Sequence, residues 1–458
     1  MDVLWDSDPG SDDDAGAAGE VVTGGASGCD SDAEGARAAG SDDEGDGAGA
    51  GADVAPVADD DAAPPEMALV EEFVAREDVI ARIEGHTAAL LRGLAERPPR
   101  VPELELASRR QAGATTKKRL TSNRDGAGVV RVWRVLAECH GNLQAGRSAT
   151  QRELYCACAP ASASHFIRVS RADNHLTDAL ADGETVRSAA EVNTAIQDCV
   201  ALLQVPRACL GITCASRGAV AGRLQIKEDN AWSDLAASAR GHAIPGDMAW
   251  VAGAVLRSDA AYILVVEKDA VFNRLLQERA CERLGAVMIT ARGQPDLASR
   301  AFLARLSGLL PHAPVLALVD WNPSGVLILA TYRVGSLRMG LEAGRYAVPV
   351  RWLAARHGDL AHRPDEDLLP LTPRCVPCAM ATAYVPTHVA YLLRSDEVLI
   401  RNMLAAPRLG AAGPAVAAEL RAMAQRGRKA ELEALYNSDA DSSLTDVLLP
   451  KILRQDYI

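Results

Sequence analysis

Residues 261–270 read AYILVVEKDA, and residues 314–325 read PVLALVDWNPSG. Each is a short apolar run that stops on an acid, Glu267 in the first and Asp320 in the second. Between them lie DAVFNRLLQERACERLG (269–285), a third apolar run AVMIT (286–290) and LASRAFLARLSGLL (297–310). Apolar runs this short, bounded by turn residues, predict buried strands, and the intervening stretches have helical period. The series continues through GVLILATYRVGS (325–336) and YAVPVRWL (346–353). Alternation at this spacing predicts a doubly wound, mainly parallel sheet. Ligands of such sheets sit beyond the carboxyl ends of the strands, so Glu267 and Asp320 are delivered to one place. Asp296, after a Gly-Gln-Pro turn, is a third acid on the same edge. Mg2+ takes hard oxygen ligands and is commonly held by one or two carboxylates plus substrate phosphates. The acid-tipped strands therefore predict a divalent-cation site.

Upstream, the pattern changes. Residues 129–225 predict a small mixed domain. VVRVWRVLAECHGNLQAG (129–146) has helical period, and SATQRELY (148–155) starts a second helix. Ser148 or Thr150 offers its cap, and Glu153, three residues after Thr150, completes a capping box. EVNTAIQDCVALLQVP (191–206) is helical, and LGITCASRGAVAGRLQI (210–226) reads as strand, turn, strand. Helices followed by a short hairpin suit a winged-helix module. Residues 226–260 form a bridge, and 261–458 hold the α/β domain with a mostly helical end and a loop near 375–388. Residues 67–128 comprise an amphipathic helix over 68–97, with Ile80, Ile83, Leu90 and Leu94 on one stripe, and a basic linker over 97–128.

The charge of the 458-residue chain is unevenly spread. Residues 1–66 hold 19 acids and one base, Arg37, a net of −18, while the remainder holds 47 bases and 42 acids, a net of +5. The tail has almost no large apolar residues, so it cannot offset its ordering entropy and is expected to be disordered. Ten cysteines at irregular spacings fit a reducing compartment rather than a disulfide scaffold. Cys156-x-Cys158 and Cys375-x-x-Cys378 are too far apart to make a persuasive zinc site. No signal peptide or membrane-spanning run is visible, and a soluble intracellular protein is expected. Lys117-Lys118-Arg119 is either a nuclear address or part of a basic hinge.

In order, SATQRELYCA, ITCASRGAVAG, VVEKDA, MITARGQPD, LVDWNPSG, YRVGS, VPVRWL and LTDVLLPKIL resemble the A subunit of archaeal topoisomerase VI. They resemble still more its eukaryotic relative, the meiotic DNA double-strand-break transesterase. The resemblance covers most of residues 68–458. It implies a winged-helix-like domain followed by a Toprim domain, the latter placing a Glu after its first strand and Asp-x-Asp after a later one. Those positions are Glu267, Asp320 and Asn322, so the second acid of the pair is an amide here. It further implies Mg2+, double-stranded DNA as substrate, a homodimer, a B-type ATPase partner and a nuclear location. A tyrosine of the first domain attacks the phosphodiester and stays on the 5′ phosphate. Arg152 is placed to stabilise the charge of that step, and Arg217 lies near the DNA path, although an arginine in a solvated turn is the plainer alternative. The family pattern ends in two aromatics, the second being the nucleophile; this chain has Tyr155 and then Cys156. The segment after it, CACAPASASHFIRVSRADNHLTDALADGETVRS, matches nothing in the family. Three alternatives stay open: Tyr155 acts by a one-residue shift, cleavage has been lost in a DNA-binding paralogue, or the segment comes from a mis-joined gene. A Toprim nuclease or primase is disfavoured by the upstream motifs.

Overall fold

The apolar runs of the second half form the strands predicted for them. The computed structural model describes residues 74–371, 396–406, 413–436 and 443–458, apart from 160–185 and short stretches at 99, 101–102, 109–113, 120–125, 187, 229, 237, 239, 343 and 366–367. The acidic tail, residues 160–185 and 187 of the segment expected to be an insertion, and Cys375 and Cys378 lie outside the described residues.

The first unit is helical. Helix α1 (Arg76–Ala95) precedes an antiparallel hairpin of β1 (Leu104–Ala107) and β2 (Thr115–Lys118). Helices α2 (Gly126–Gln144), α3 (Gln151–Cys158) and α4 (Ala189–Leu203) follow. Val129, Val132, Val135, Leu136, Cys139 and Leu143 recur at three- and four-residue spacing, so one face of α2 packs onto α4. Each such buried side chain contributes roughly 1.5–3 kcal/mol. On α1 the inward residues are Val79 and Ile83, while Leu94 of the expected stripe is exposed.

Two expectations are corrected. The stretch read as a basic linker contains the β1–β2 hairpin, because Leu104 and Leu106 alternate into the core. Its basic cluster is engaged: Lys117 pairs with Glu105, Lys118 with the buried Asp198 at 2.6 Å, and Arg119 with Glu103. The hairpin read over 210–226 does not form. Ile212–Thr213 instead pairs in parallel with Ala149–Thr150 at the start of α3. Strand β3 (Ala219–Gly222), buried on every residue, enters the sheet of the second unit.

The bridge is ordered as a three-stranded antiparallel sheet of β4 (Gln225–Glu228), β5 (Ala231–Asp234) and β6 (Val255–Arg257). Beyond it come β7 (Tyr262–Val266), α5 (Asp269–Gln277), α6 (Ala280–Leu284), β8 (Ala286–Thr290), α7 (Leu297–Leu309), β9 (Val315–Leu318), α8 (Pro323–Val334) and β10 (Val350–Ala354). The main sheet runs β10-β9-β7-β8-β3 with His242–Ala243 at its edge. The first four strands are parallel, β3 runs antiparallel to β8, and the edge piece runs antiparallel to β3. From β7 the chain moves to β8 on one side and then to β9 on the other, so the topological switch lies between β7 and β9. Helices α9 (Asp396–Ala405), α10 (Pro414–Arg426) and α11 (Leu444–Leu453) complete the unit.

Candidate active site at the switch of the parallel sheet

Glu267 and Asp320 leave the two strands that flank the switch point, where open α/β sheets bind ligands. The backbone N–H of Glu267 donates to Leu318 O at 3.0 Å, which fixes the relative height of the two strand ends. One Glu267 oxygen then accepts from the Asp320 backbone N–H at 2.9 Å. Asp320 is 4% exposed, and its Oδ1 accepts from the Leu432 backbone N–H at 2.9 Å. Burial, and next the neighbouring Asp320, push the Glu267 carboxyl up to about 7. Burial likewise raises Asp320, against the Leu432 N–H and Lys268, which lower it. Two carboxylates so placed repel one another and favour a bound cation.

The DWNPSG turn is built by local rules. Asn322 caps α8 by accepting from the Gly325 N–H at 2.7 Å, and Pro323 fills the first helical position. A Cβ at Gly325 would fall inside contact distance of Asp320's carbonyl oxygen, so the turn requires glycine. The Asn322 amide nitrogen faces Asp320 Oδ2 at 3.3 Å. Asn322 thus stands beside the acid pair, with its carbonyl engaged as a helix cap. Trp321, between the two, is fully buried and donates its indole N–H to Glu419 at 2.7 Å. Asp296 does other work: it caps α7 by accepting from Ser299 N–H at 2.7 Å. Burial raises its carboxyl, and the adjacent Arg217 partly counters that. Among the described residues no three His, Cys, Asp or Glu side chains form a ready-made metal cage. The donor set is two carboxylates with open positions.

The pattern alone did not reveal that a distant segment reaches the site. Lys268 Nζ lies 3.3 Å from Asp320, 3.2 Å from Glu431 and 2.7 Å from Glu433. A β-bridge between Trp321 and Ala430 docks that segment. Its only local signal is the alternation in AELEAL, where Ala430 and Leu432 are buried and Glu431 and Glu433, in alternation with them, reach Lys268.

In the helical unit, α3 opens with the expected capping box. Glu153 N–H donates to Thr150 Oγ1 at 3.2 Å, and Thr150 N–H donates to Glu153 at 2.6 Å. Leu154 and Cys158 turn into the core, and Arg134 donates to the Ala157 carbonyl at 3.0 Å. Arg152 is exposed and Tyr155 half-buried; at spacing i, i+3 they share a helix face. Cys156 is partly buried. Arg217 is exposed in the loop between Thr213 and β3. That loop is pinned from two sides: Ser216 Oγ donates to Ile244 O, and Gly218 packs directly on Ser299. The acid pair sits on strands of the parallel-sheet core, and α3 packs in the separate hydrophobic cluster of the helices.

Residues 128–212 match the family described as type IIB DNA topoisomerase, and residues 262–453 match that described as the Toprim domain of Spo11 and the topoisomerase 6 A-subunit. Meiotic recombination protein SPO11-2 of Arabidopsis thaliana is 35% identical over 398 residues, which span 82% of this chain and 92% of that protein. The chain belongs to the Spo11/topoisomerase VI A-subunit family. The SPO11-2 protein of Oryza sativa subsp. japonica is 36% identical over 86% of this chain and 91% of its own length. The DNA topoisomerase 6 A-subunit of Arabidopsis thaliana is 31% identical over 64% and 62%, respectively. The two family matches stop at 212 and resume at 262. The first edge coincides with the end of the helical unit, and the second with the first parallel strand.

Proposed function

We propose that this chain is a topoisomerase VI A-type transesterase that cuts duplex DNA to start meiotic recombination. The observation that carries it is the convergence of Glu267 and Asp320 at the switch point, in a chain whose capped α3 presents Arg152 and Tyr155 on one face. The two carboxylates and their raised proton affinities suit Mg2+, held by Glu267 and Asp320 with Asn322 alongside. When bound, that ion would supply positive charge to a DNA phosphate.

The remaining chemistry falls to the chain's own residues. Tyr155 Oη attacks phosphorus, the bond from phosphorus to the 3′ oxygen breaks, and the 5′ phosphate remains on the tyrosine. The phenol gives up its proton and the departing 3′ oxygen takes one, so the sugar ends as a 3′ hydroxyl. A phenol of ordinary pKa about 10 needs positive charge close by to react at neutral pH. Arg152, one turn earlier, supplies a guanidinium for the non-bridging oxygens. Arg217, held in its pinned loop, contacts the DNA backbone. One nucleophile cuts one strand, so a double-strand break calls for a homodimer, in which Tyr155 of one copy works with the acid pair of the other. ATP use belongs to a B-type partner, and a chromosomal substrate implies a nuclear protein.

A second reading is favoured by two observations. Cys156 stands in the strict register of the nucleophile, and Asn322 replaces an acid while its carbonyl caps a helix. On that reading the chain binds DNA without cutting it. Trapping covalent protein–DNA adducts with duplex DNA, Mg2+ and the B-type partner separates the two. The transesterase gives an adduct in the wild type and none in Tyr155→Phe. No wild-type adduct supports the non-cleaving reading, and an adduct that survives Tyr155→Phe moves the nucleophile elsewhere. Sequencing the transcript across residues 150–195 decides whether the encoded segment is the spliced one.

A further inference from the structure

We infer that Lys268 is the resident counter-cation of the acid pair, a positioning residue that a divalent ion displaces from Asp320, and that Glu431 and Glu433 form the berth that receives it. The inference rests on the cation role of Glu267 and Asp320 proposed above. An ammonium is a compact charge with three donors, able to serve three carboxylates at once. Lys268 Nζ does this, with Glu433 at 2.7 Å, Glu431 at 3.2 Å and Asp320 Oδ2 at 3.3 Å. The nearest contact is with the berth and the longest with the acid pair. Asp320 is nearly sealed, its side chain 5% exposed, whereas Glu433 and Glu431 are 29% and 53% exposed. The lysine thus bridges a dry carboxylate and two wet ones. Its move between them needs only side-chain rotation, because the backbones on the two sides are already tied together. Leu432 N–H holds Asp320 from within the berth, and Ala430 is bridged to Trp321.

The sign of the effect follows from charge. An ammonium against Asp320 Oδ2 opposes a second cation at the same carboxylate, so deleting it should tighten divalent-ion binding by about ten-fold at moderate salt. Glu433 should act in the opposite sense and largely through Lys268. Without it the ammonium settles on Asp320, and binding weakens about three-fold or more.

The experiment is Mn2+ binding to the full chain without DNA, at fixed pH and salt, read by the electron paramagnetic resonance of free Mn2+. Lys268→Met is expected to bind about ten-fold more tightly, and Lys268→Arg, which keeps the charge, close to wild type. Glu433→Gln is expected to weaken binding in the wild type and to have less than about a two-fold effect in the Lys268→Met background. Equal or weaker binding by a folded Lys268→Met, or an equal Glu433→Gln effect in both backgrounds, overturns the counter-cation role while leaving the cation site standing. A folded wild type that takes up no Mn2+ overturns the cation site and this inference with it. Circular dichroism of each variant separates these outcomes from misfolding.

Discussion

Replacing Glu267 by Gln should stabilise the metal-free protein while destroying its cation site. The fold holds the Glu267 carboxylate out of water and beside Asp320, and burial followed by Asp320 raises it from an ordinary 4.5 to about 7. An acid raised in this way contributes its stability in full below its unfolded pKa and loses it as pH climbs through the folded value. Above pH 7 the ionised group is therefore a net cost, of order 1–3 kcal/mol. Glutamine removes the charge and keeps an oxygen for the Asp320 N–H, which now sits 2.9 Å from the carboxylate. For a chain of this size that corresponds to a rise of roughly 3–6 °C in Tm at pH 8. At pH 4, below the ordinary value of 4.5, the wild-type group is mostly protonated in both folded and unfolded states, and the two proteins should melt together. Scanning calorimetry in EDTA at both pH values measures this, and adding Mg2+ at pH 8 should raise the wild type and leave Glu267→Gln unmoved. A variant no more stable than wild type at pH 8, or equally stabilised at both pH values, would refute the account of a strained acid pair.

Other perturbations test other joints. Glu342→Gln neutralises the buried partner of Arg207, whose Nε lies 2.9 Å away with both side chains nearly sealed. Leaving that guanidinium unpaired should cost about 2–4 kcal/mol in urea unfolding. Thr150→Ala removes the side-chain half of the α3 capping box and should cost about 1 kcal/mol, seen as faster hydrogen exchange across 151–158 with the α/β unit unchanged. Gly325→Ala drives a methyl against Asp320's carbonyl. Mn2+ affinity should fall about ten-fold or more with both acids still present, through a displaced Asp320 rather than a lost charge.

What the sequence disclosed depended on range. Glu267 and Asp320 were legible because each ends a run of apolar residues too short for a helix and flanked by turn chemistry. The Thr150–Glu153 box was legible because both partners lie within one turn. β3 departs from the hairpin expectation for a physical reason. Proximity in sequence suggested a hairpin with Ile212–Thr213, yet Ala219, Val220, Ala221 and Gly222 are all buried, a pattern suited to the interior of a two-sided sheet rather than a solvent-washed wing. Leu104 and Leu106 were hidden by the prolines and bases around them. The approach of Glu431 and Glu433 to Lys268 could not be read at all, since it is set by a tryptophan bridge across more than a hundred residues.

That bridge also orders events during synthesis. Glu267 and Asp320 leave the ribosome well before residues 430–433, so a nascent chain carries two mutually repelling acids with neither the Leu432 N–H nor the buttress of Ala430 on Trp321. The site is finished only when this late segment folds back onto it. Any transcript or proteolytic product that stops short of residue 430 would retain every residue of the VEKD and DWNPSG motifs and still present an unfinished pair. Intact motifs in a shortened product are therefore no guarantee of an intact site.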